Sequence, residues 1–79
     1  MKIKAKVAAA QKVTINTEFI KLDSFLKYVS LVQTGGEAKM LISEGEVRVN
    51  GEVCTQRGKK IRPGDKVACV GNVFEVNEG

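Results

Sequence analysis

The sequence contains no histidine and no tryptophan, and it has only two cysteines and one proline among 79 residues. A structural zinc site usually has four cysteine or histidine ligands, and this chain offers only Cys54 and Cys69. Two cysteines are also too few for the disulfide scaffold of a small secreted protein. We therefore predict a cytoplasmic protein without metal or cofactor, in which both cysteines are reduced and half-buried on strands.

Catalytic and membrane-spanning patterns are missing too. No serine or cysteine nucleophile has an identifiable base, and the chain lacks a phosphate-loop motif. No apolar run approaches the ~18 residues that a membrane helix needs. The apolar stretch after Lys6 is too short for a signal peptide, because Gln11 and Lys12 interrupt it. The sequence thus predicts a non-catalytic protein with no small-molecule substrate and no membrane contact.

The composition that remains is that of one small globular domain. Hydrophobic residues make up 43% of the chain, which is enough for an ordinary core. The formal net charge of +4 favours an anionic partner such as a nucleic acid, although it also suits a soluble protein with no such partner. We divide the chain into a basic N-terminal extension, residues 1–12, and a single domain, residues 13–79. Alternating lysines and apolar residues in the extension suit either a strand or a mobile arm.

Two short helices are predicted in the first half of the domain, after a short strand around Val13. The first helix is predicted to begin near Leu22 and to end between residues 30 and 33. Its apolar positions have the i, i+3, i+4, i+7 spacing of one buried face, namely Leu22, Phe25, Leu26 and Val29. Tyr28, three residues after Phe25, is compatible with partial exposure and with stacking on a base, but we favour packing in the core.

The second helix is predicted to begin after Thr34. Thr34 and Glu37 have the spacing of a capping box, in which each side chain accepts a hydrogen bond from the backbone of the other residue. Apolar residues at positions 38, 41 and 42 would face the core. Gly45 is placed to end the helix, because glycine readily adopts the left-handed conformation found there.

The second half of the domain is predicted to be β-structure. Residues 47–49 alternate apolar and polar side chains, and Asn50-Gly51 is the strongest short signal for a hairpin with a type I′ turn. Pro63-Gly64 suits a type II turn. The predicted strands after the hairpin turn are 52–54, 66–70 and 73–76, with Gly71-Asn72 joining the last two.

The start of the second helix is the first candidate binding site. Its leading N–H groups have no acceptor within the helix, and the helix dipole places partial positive charge there. Gly35 and Gly36 have no side chains to block a phosphate, and Lys39 lies on the same face as Gly36. The alternative is that the two glycines merely permit a tight turn between the helices.

A run of cations is the second candidate site. Arg57, Lys59, Lys60 and Arg62 fall within six residues, with no acidic residue before Asp65. Such a cluster suits contacts to RNA phosphates, which give affinity and salt dependence but little sequence readout. The alternative is a solvated charged loop.

These segments, taken in order, resemble the S-four-type RNA-binding domain. This module is shared by small-subunit ribosomal protein four, several pseudouridine synthases and tyrosyl-tRNA synthetases, and the sequence looks most like its small stand-alone bacterial members. The residues that carry the resemblance span positions 19–70 and comprise Ile20 to Leu26, Gly36 to Lys39, Ile42, Gly45 to Gly51, and Pro63 to Val67.

The resemblance implies an α+β fold in which two short helices pack on a small bent, mostly antiparallel β-sheet. It also implies that RNA binds across the helix pair and the following basic loop. The positions that correspond to this RNA-binding surface are Lys21, Lys27, Thr34, Gly35, Gly36, Glu37, Lys39, Arg48, Asn50, Arg57, Lys59, Lys60 and Arg62.

We therefore expect a non-catalytic, monomeric RNA-binding protein that contacts the phosphate backbone of structured RNA. Ribosomal RNA and transfer RNA are the candidate partners, and RNA shape would set the preference. The alternative from another class is a protein-interaction adaptor that docks an acidic partner through the basic face or a sheet edge. DNA binding is less well supported, because no recognition helix of the usual length and composition is present.

Overall fold

The computed structural model describes residues 10–79, so the prediction for the lysine-rich part of the N-terminal extension, residues 1–9, lies outside the described residues. In the described part, no helix is long and apolar enough to span a membrane. The elements, in chain order, are β1 Gln11–Ile15, β2 Ile20–Lys21, α1 Leu22–Tyr28, α2 Gly35–Ser43, β3 Val47–Val49, β4 Glu52–Val53, β5 Lys60–Ile61, β6 Lys66–Cys69 and β7 Asn72–Glu78.

Of the seven strands in residues 10–79, five form one mixed sheet in the order β1-β7-β6-β3-β4. Its pairs are antiparallel except for β1, which runs parallel to β7. The predicted α+β fold, with two short helices on a mostly antiparallel sheet, is confirmed. β1 begins at Gln11, so this strand includes two residues that we had assigned to the extension. The remaining strands, β2 and β5, form a separate antiparallel ribbon that the sequence did not predict.

The core lies between the helices and the inner face of the five-stranded sheet. Leu22, Phe25 and Leu26 of α1 are fully buried, which confirms the predicted apolar face. Phe25 meets Phe74 of β7 edge-to-face, with 5.9 Å between ring centroids and 80° between ring planes. Ile61 of β5 is also fully buried, so the small ribbon is anchored in the same core.

The first helix ends at Tyr28, two or more residues before the predicted end. Ser30 has a φ of 64°, and the N–H of Leu31 donates to the carbonyl of Leu26 at 3.1 Å. This is the Schellman arrangement that commonly ends helices at a glycine. The predicted end was wrong because a serine here adopts the left-handed conformation for which glycine is the usual sequence signal.

Tyr28 is on the surface, contrary to the prediction that it packs in the core. Its side chain is 56% exposed, and its hydroxyl donates a hydrogen bond to the backbone carbonyl of Thr14 at 2.8 Å. The phenol needs a hydrogen-bond partner, and the carbonyl on β1 provides one at the rim of the core. Tyr28 therefore fastens the end of α1 to the edge strand.

The second helix forms as predicted. Ala38 and Ile42 are fully buried and Leu41 is half-buried. Gly45 has a φ of 77°, and the next N–H, that of Glu46, donates to the carbonyl of Leu41 at 3.0 Å. The glycine thus ends α2 in a Schellman arrangement, and the chain turns directly into β3.

The predicted turns are confirmed at two of three places. Asn50 and Gly51 both have positive φ, 53° and 87°, as a type I′ turn requires. Gly64 has a φ of 101° in the turn closed by Asp65, as in type II. The third turn is centred on Val70 and Gly71, one residue before the predicted position. A valine is a poor signal for a turn, because β-branched residues rarely adopt positive φ.

Val70 is strained, and relieving that strain is expected to stabilise the protein. Its φ is 52°, which costs an L-residue on the order of 1–2 kcal/mol, and its side chain is 64% exposed. Replacing Val70 with asparagine, which tolerates this conformation, should raise the free energy of unfolding by about 1 kcal/mol in urea denaturation. Val53→Asn is the matched control, because Val53 is 52% exposed but has no positive φ. V53N should show no such gain, and a V70N variant no more stable than the wild type would show that the turn is not strained.

The two cysteines lie on opposite sides of β3. Cys69 pairs with Val47, and the N–H of Cys54 donates to the carbonyl of the same Val47 at 2.9 Å. The two cysteines are therefore two strand spacings apart, about 10 Å, and this distance is too long for a disulfide. Both thiols are free, and burial, aided by the negative charge of Glu46, raises the pKa of the Cys69 thiol. Cys54 is half-buried but follows β4 instead of lying on a strand, and Cys69 lies on β6 but is fully buried, so the prediction of two half-buried strand cysteines is met only in part.

Candidate nucleic-acid interface

The start of α2 has the predicted capping box. The hydroxyl of Thr34 accepts from the N–H of Glu37 at 3.2 Å. In return, the carboxylate of Glu37 accepts from the N–H groups of Thr34 and Gln33, at 3.2 and 2.9 Å. The side chains of Thr34 and Glu37 are therefore used to fix the helix start. Contacts from them to RNA stay a prediction.

The first two residues of α2 are Gly35 and Gly36, and both are exposed. Within residues 10–79, no group accepts a hydrogen bond from either amide. A Cβ added at Gly35 would meet nothing within 4 Å, and at Gly36 it would meet only the Thr34 hydroxyl at 3.9 Å. The positive end of α2 is therefore open to an anion of phosphate size, although the nearby Glu37 carboxylate offsets part of the attraction.

The start of α1 is closed by contrast. The N–H groups of Leu22 and Asp23 donate to the carbonyls of Lys59 and Arg57, at 2.9 and 3.2 Å. These bonds satisfy the unpaired amides of the helix from within the protein. They also fasten to α1 the basic loop, which we define as residues 57–59, because Lys60 already lies on β5. The side chains of Arg57 and Lys59 therefore project from a backbone of defined position.

The β2–β5 ribbon places two lysines directly opposite each other. Ile20 pairs with Ile61, and Lys21 pairs with Lys60. Ile61 is buried and both lysines are exposed, so the lysines lie on the outer face of the ribbon. Like charges directly opposite each other in an antiparallel pair destabilise it by about 0.2–1 kcal/mol relative to neutral pairs. An anionic partner would relieve this repulsion.

Phe19 and Arg62 extend the same face of the ribbon. The Lys60 ammonium lies 4.9 Å from the centroid of the Phe19 ring, and the Arg62 guanidinium carbon lies 5.9 Å from it. We call Phe19, Lys21, Lys60 and Arg62 the ribbon cluster. The sequence interpretation overlooked Phe19. Its only signal is the two-residue spacing from Lys21, which becomes informative once the pairing with β5 is known.

Asn50 has a structural role in the described part of the chain. Its side-chain amide donates to the carboxylate of Asp65 at 3.0 Å, and its side-chain oxygen accepts from the N–H of Lys66 at 2.9 Å. The same carboxylate accepts from the N–H of Arg62 at 2.8 Å. Asn50 and Asp65 therefore join the two neighbouring turns and fix the backbone that leaves the ribbon. An RNA contact from Asn50 stays a prediction.

The other predicted residues are distributed around these features. Lys27 and Lys39 are exposed on α1 and α2, and α1 packs against α2 and against both strands of the ribbon. Arg48 is exposed between the buried Val47 and Val49, so it lies on the outer face of the five-stranded sheet, away from the core. The structure thus brings Lys21, Lys60 and Arg62 to one face of the ribbon and leaves Arg48 on a different face. The backbone bonds to α1 hold the basic loop beside them.

Residues 13–77 match the family model of the S4 domain. The chain belongs to the S4 domain family. This is the S-four-type domain that the sequence resembles, so that identification is confirmed. The family match spans both helices, the ribbon and nearly all of the five-stranded sheet.

Two relatives are similar to this chain over most of their own length. The chain is 45% identical over 62 residues to the Probable ribosome maturation protein RlbA of Bacillus subtilis (strain 168). The matched region covers 78% of this chain and 87% of that protein. It is 35% identical over 57 residues to the Putative RNA-binding protein YbcJ of Escherichia coli (strain K12). Here the matched region covers 72% of this chain and 81% of that protein.

Two solved structures have the same fold. The solution structure of YbcJ from E. coli, described as revealing an αL motif involved in RNA-binding, matches with a TM-score of 0.67 at 26% identity over 95% of this chain and 96% of that chain. The trimeric structure of Vibrio cholerae heat shock protein 15 matches with a TM-score of 0.61 at 22% identity. That match covers 68% of this chain but only 54% of the heat shock protein, and it supports the fold alone.

Proposed function

We propose that this S4-domain protein binds structured RNA by gripping its phosphate backbone at two places, the open start of α2 and the ribbon cluster. The observation that carries the proposal is the crowding of Lys21, Lys60 and Arg62 on one face of a two-stranded ribbon. The names of the relatives, an RNA-binding protein and a ribosome maturation protein, support RNA as the anion.

At the start of α2, the backbone does the binding. The amides of Gly35 and Gly36 point out of the helix end, and a phosphate oxygen can approach them without meeting a side chain. These amides carry no net charge, so their contribution depends on the helix dipole and on hydrogen bonds of defined geometry. This contact positions the RNA relative to α1 and α2.

At the ribbon cluster and the adjacent basic loop, side-chain charge does the binding. Lysine supplies a point charge, and arginine supplies a planar group that can contact two phosphate oxygens. Such contacts read the spacing of phosphates rather than the bases, so RNA shape sets the preference. We propose ribosomal or transfer RNA as the partner, and a non-catalytic, cytoplasmic monomer as the acting form.

The proposal is tested by comparing RNA with DNA over a salt series. A fluorescein-labelled RNA stem-loop should bind more tightly than a DNA duplex of equal length. The logarithm of its affinity should fall linearly with the logarithm of salt concentration, because binding releases counterions. Equal affinity for the two nucleic acids, or no binding to RNA, would contradict the proposal. In cell extracts, protein partners that remain bound after complete ribonuclease digestion would instead favour the adaptor.

A further inference from the structure

We infer that Phe19 is a positioning residue that holds Lys60 and Arg62 ready for one RNA phosphate. The inference deepens the proposed function and rests on it. None of the sequence signals for RNA binding includes this residue. It follows from three observations on the ribbon: the place of the ring, the crowding of the cations and the anchoring of the backbone beneath them.

Both cations lie close to the Phe19 ring. The Lys60 ammonium is 4.9 Å from the Phe19 centroid and the Arg62 guanidinium carbon is 5.9 Å from it. Both distances are within the ~6 Å range in which the negative face of an aromatic ring attracts a cation. One ring therefore attracts two neighbouring positive side chains.

Without the ring, these side chains would separate. Lys60 lies opposite Lys21 and two residues from Arg62, so all three positive groups share one face. Mutual repulsion favours orientations that point apart, and long flexible side chains have many such orientations. Attraction to the ring opposes this spreading and keeps two charges close enough to contact one phosphate group.

The ring is itself held in place. Phe19 is half-buried, and the Thr17 hydroxyl donates to its backbone carbonyl at 2.8 Å. The next residue, Ile20, is half-buried against the core and pairs with the fully buried Ile61. Phe19 thus provides a fixed platform, and the cations above it lose less conformational freedom when RNA binds.

A double-mutant cycle tests this role with the RNA stem-loop as probe. Phe19→Leu keeps an apolar side chain but removes the ring, and it should weaken RNA binding about five- to tenfold. In a protein that already carries Lys60→Ala and Arg62→Ala, the same change should have less than about a twofold effect, because the cations that the ring positions are gone. Phe19→Tyr, which keeps the ring, should bind as tightly as the wild type.

The outcomes separate this inference from the proposed function. Equal losses from Phe19→Leu in both backgrounds would show that the ring contacts RNA directly or acts through stability, and they would overturn the positioning role. If only the Lys60 and Arg62 changes weaken binding, RNA binding stands and the inference fails. If the unmutated protein does not bind RNA, both fail.

A measurement on the wild-type protein without RNA gives a second test that does not depend on any variant folding. The side-chain methylene protons of Lys60 should be shifted upfield in the proton NMR spectrum by the current of the Phe19 ring. Lys66, which is exposed on the five-stranded sheet, provides the reference. Identical methylene shifts for the two lysines would show that Lys60 does not rest on the ring, and this would overturn the inference.

Discussion

Replacing Lys59 and Lys60 together with alanine is expected to weaken RNA binding about ten- to hundredfold at low salt. Each exposed charged contact to a phosphate contributes on the order of 1 kcal/mol. The slope of log affinity against log salt should also fall by about two units, one for each lost phosphate contact. Both quantities come from one titration series with the RNA stem-loop at several salt concentrations. The variant should fold normally, because both side chains are exposed.

A matched control removes the same charge from another face. Lys12 and Lys66 both lie opposite Glu75, on the outer face of the five-stranded sheet. Replacing these two lysines with alanine lowers the net charge equally but leaves the ribbon cluster intact. We expect little change in affinity or salt slope for this control. Equal losses in the two variants would mean that overall charge, rather than the basic loop and ribbon, drives binding.

Replacing Gly36 with glutamate is expected to weaken RNA binding about five- to hundredfold without unfolding the protein. A carboxylate about 5 Å from a phosphate is repelled by roughly 1–3 kcal/mol, depending on the local dielectric. The fold should tolerate the change, since an added Cβ meets only the Thr34 hydroxyl at 3.9 Å. Glutamate also has a higher helix propensity than glycine and suits the first turn of a helix. The affinity for RNA should therefore fall while the midpoint temperature of thermal unfolding rises.

Gly36→Gln separates charge from crowding. Glutamine is as large as glutamate but neutral, so it should lose less affinity than glutamate does. Equal losses from both variants would show that the site is crowded rather than sensitive to charge. A folded Gly36→Glu protein that binds the stem-loop like the wild type would remove the start of α2 from the binding surface.

Local signals in the sequence predicted much of the helix and turn geometry. The capping box of Thr34 and Glu37 and the type I′ turn at Asn50 depend on hydrogen bonds and dihedral preferences within a few residues. Such features can be recognised without knowing the fold. For this reason, the open start of α2 was predicted together with its glycines. The end of α1 and the Val70 turn were misplaced because unusual residues adopt positive φ there.

The ribbon could not be predicted in the same way. β2 and β5 are two residues long and lie on either side of the helix pair in sequence, so neither has the length or alternation of a strand. Their pairing depends on burial of Ile61 in the core and on the backbone bonds from α1 to Lys59 and Arg57. Only this pairing brings Phe19 and Lys21 to the basic loop. The candidate cations were therefore named from the sequence, but their grouping around an aromatic ring was not.

The most direct test of the account is an amide NMR titration of the labelled protein with the RNA stem-loop. We expect the amide signals of Gly35 and Gly36 to shift together with those of residues 19–21 and 57–62, at the same RNA concentrations. The amide signals of Ala68 and Val73, two residues on the outer face of the five-stranded sheet, should not shift. Shifts confined to that outer face, with Gly35, Gly36 and the ribbon unaffected, would contradict the account.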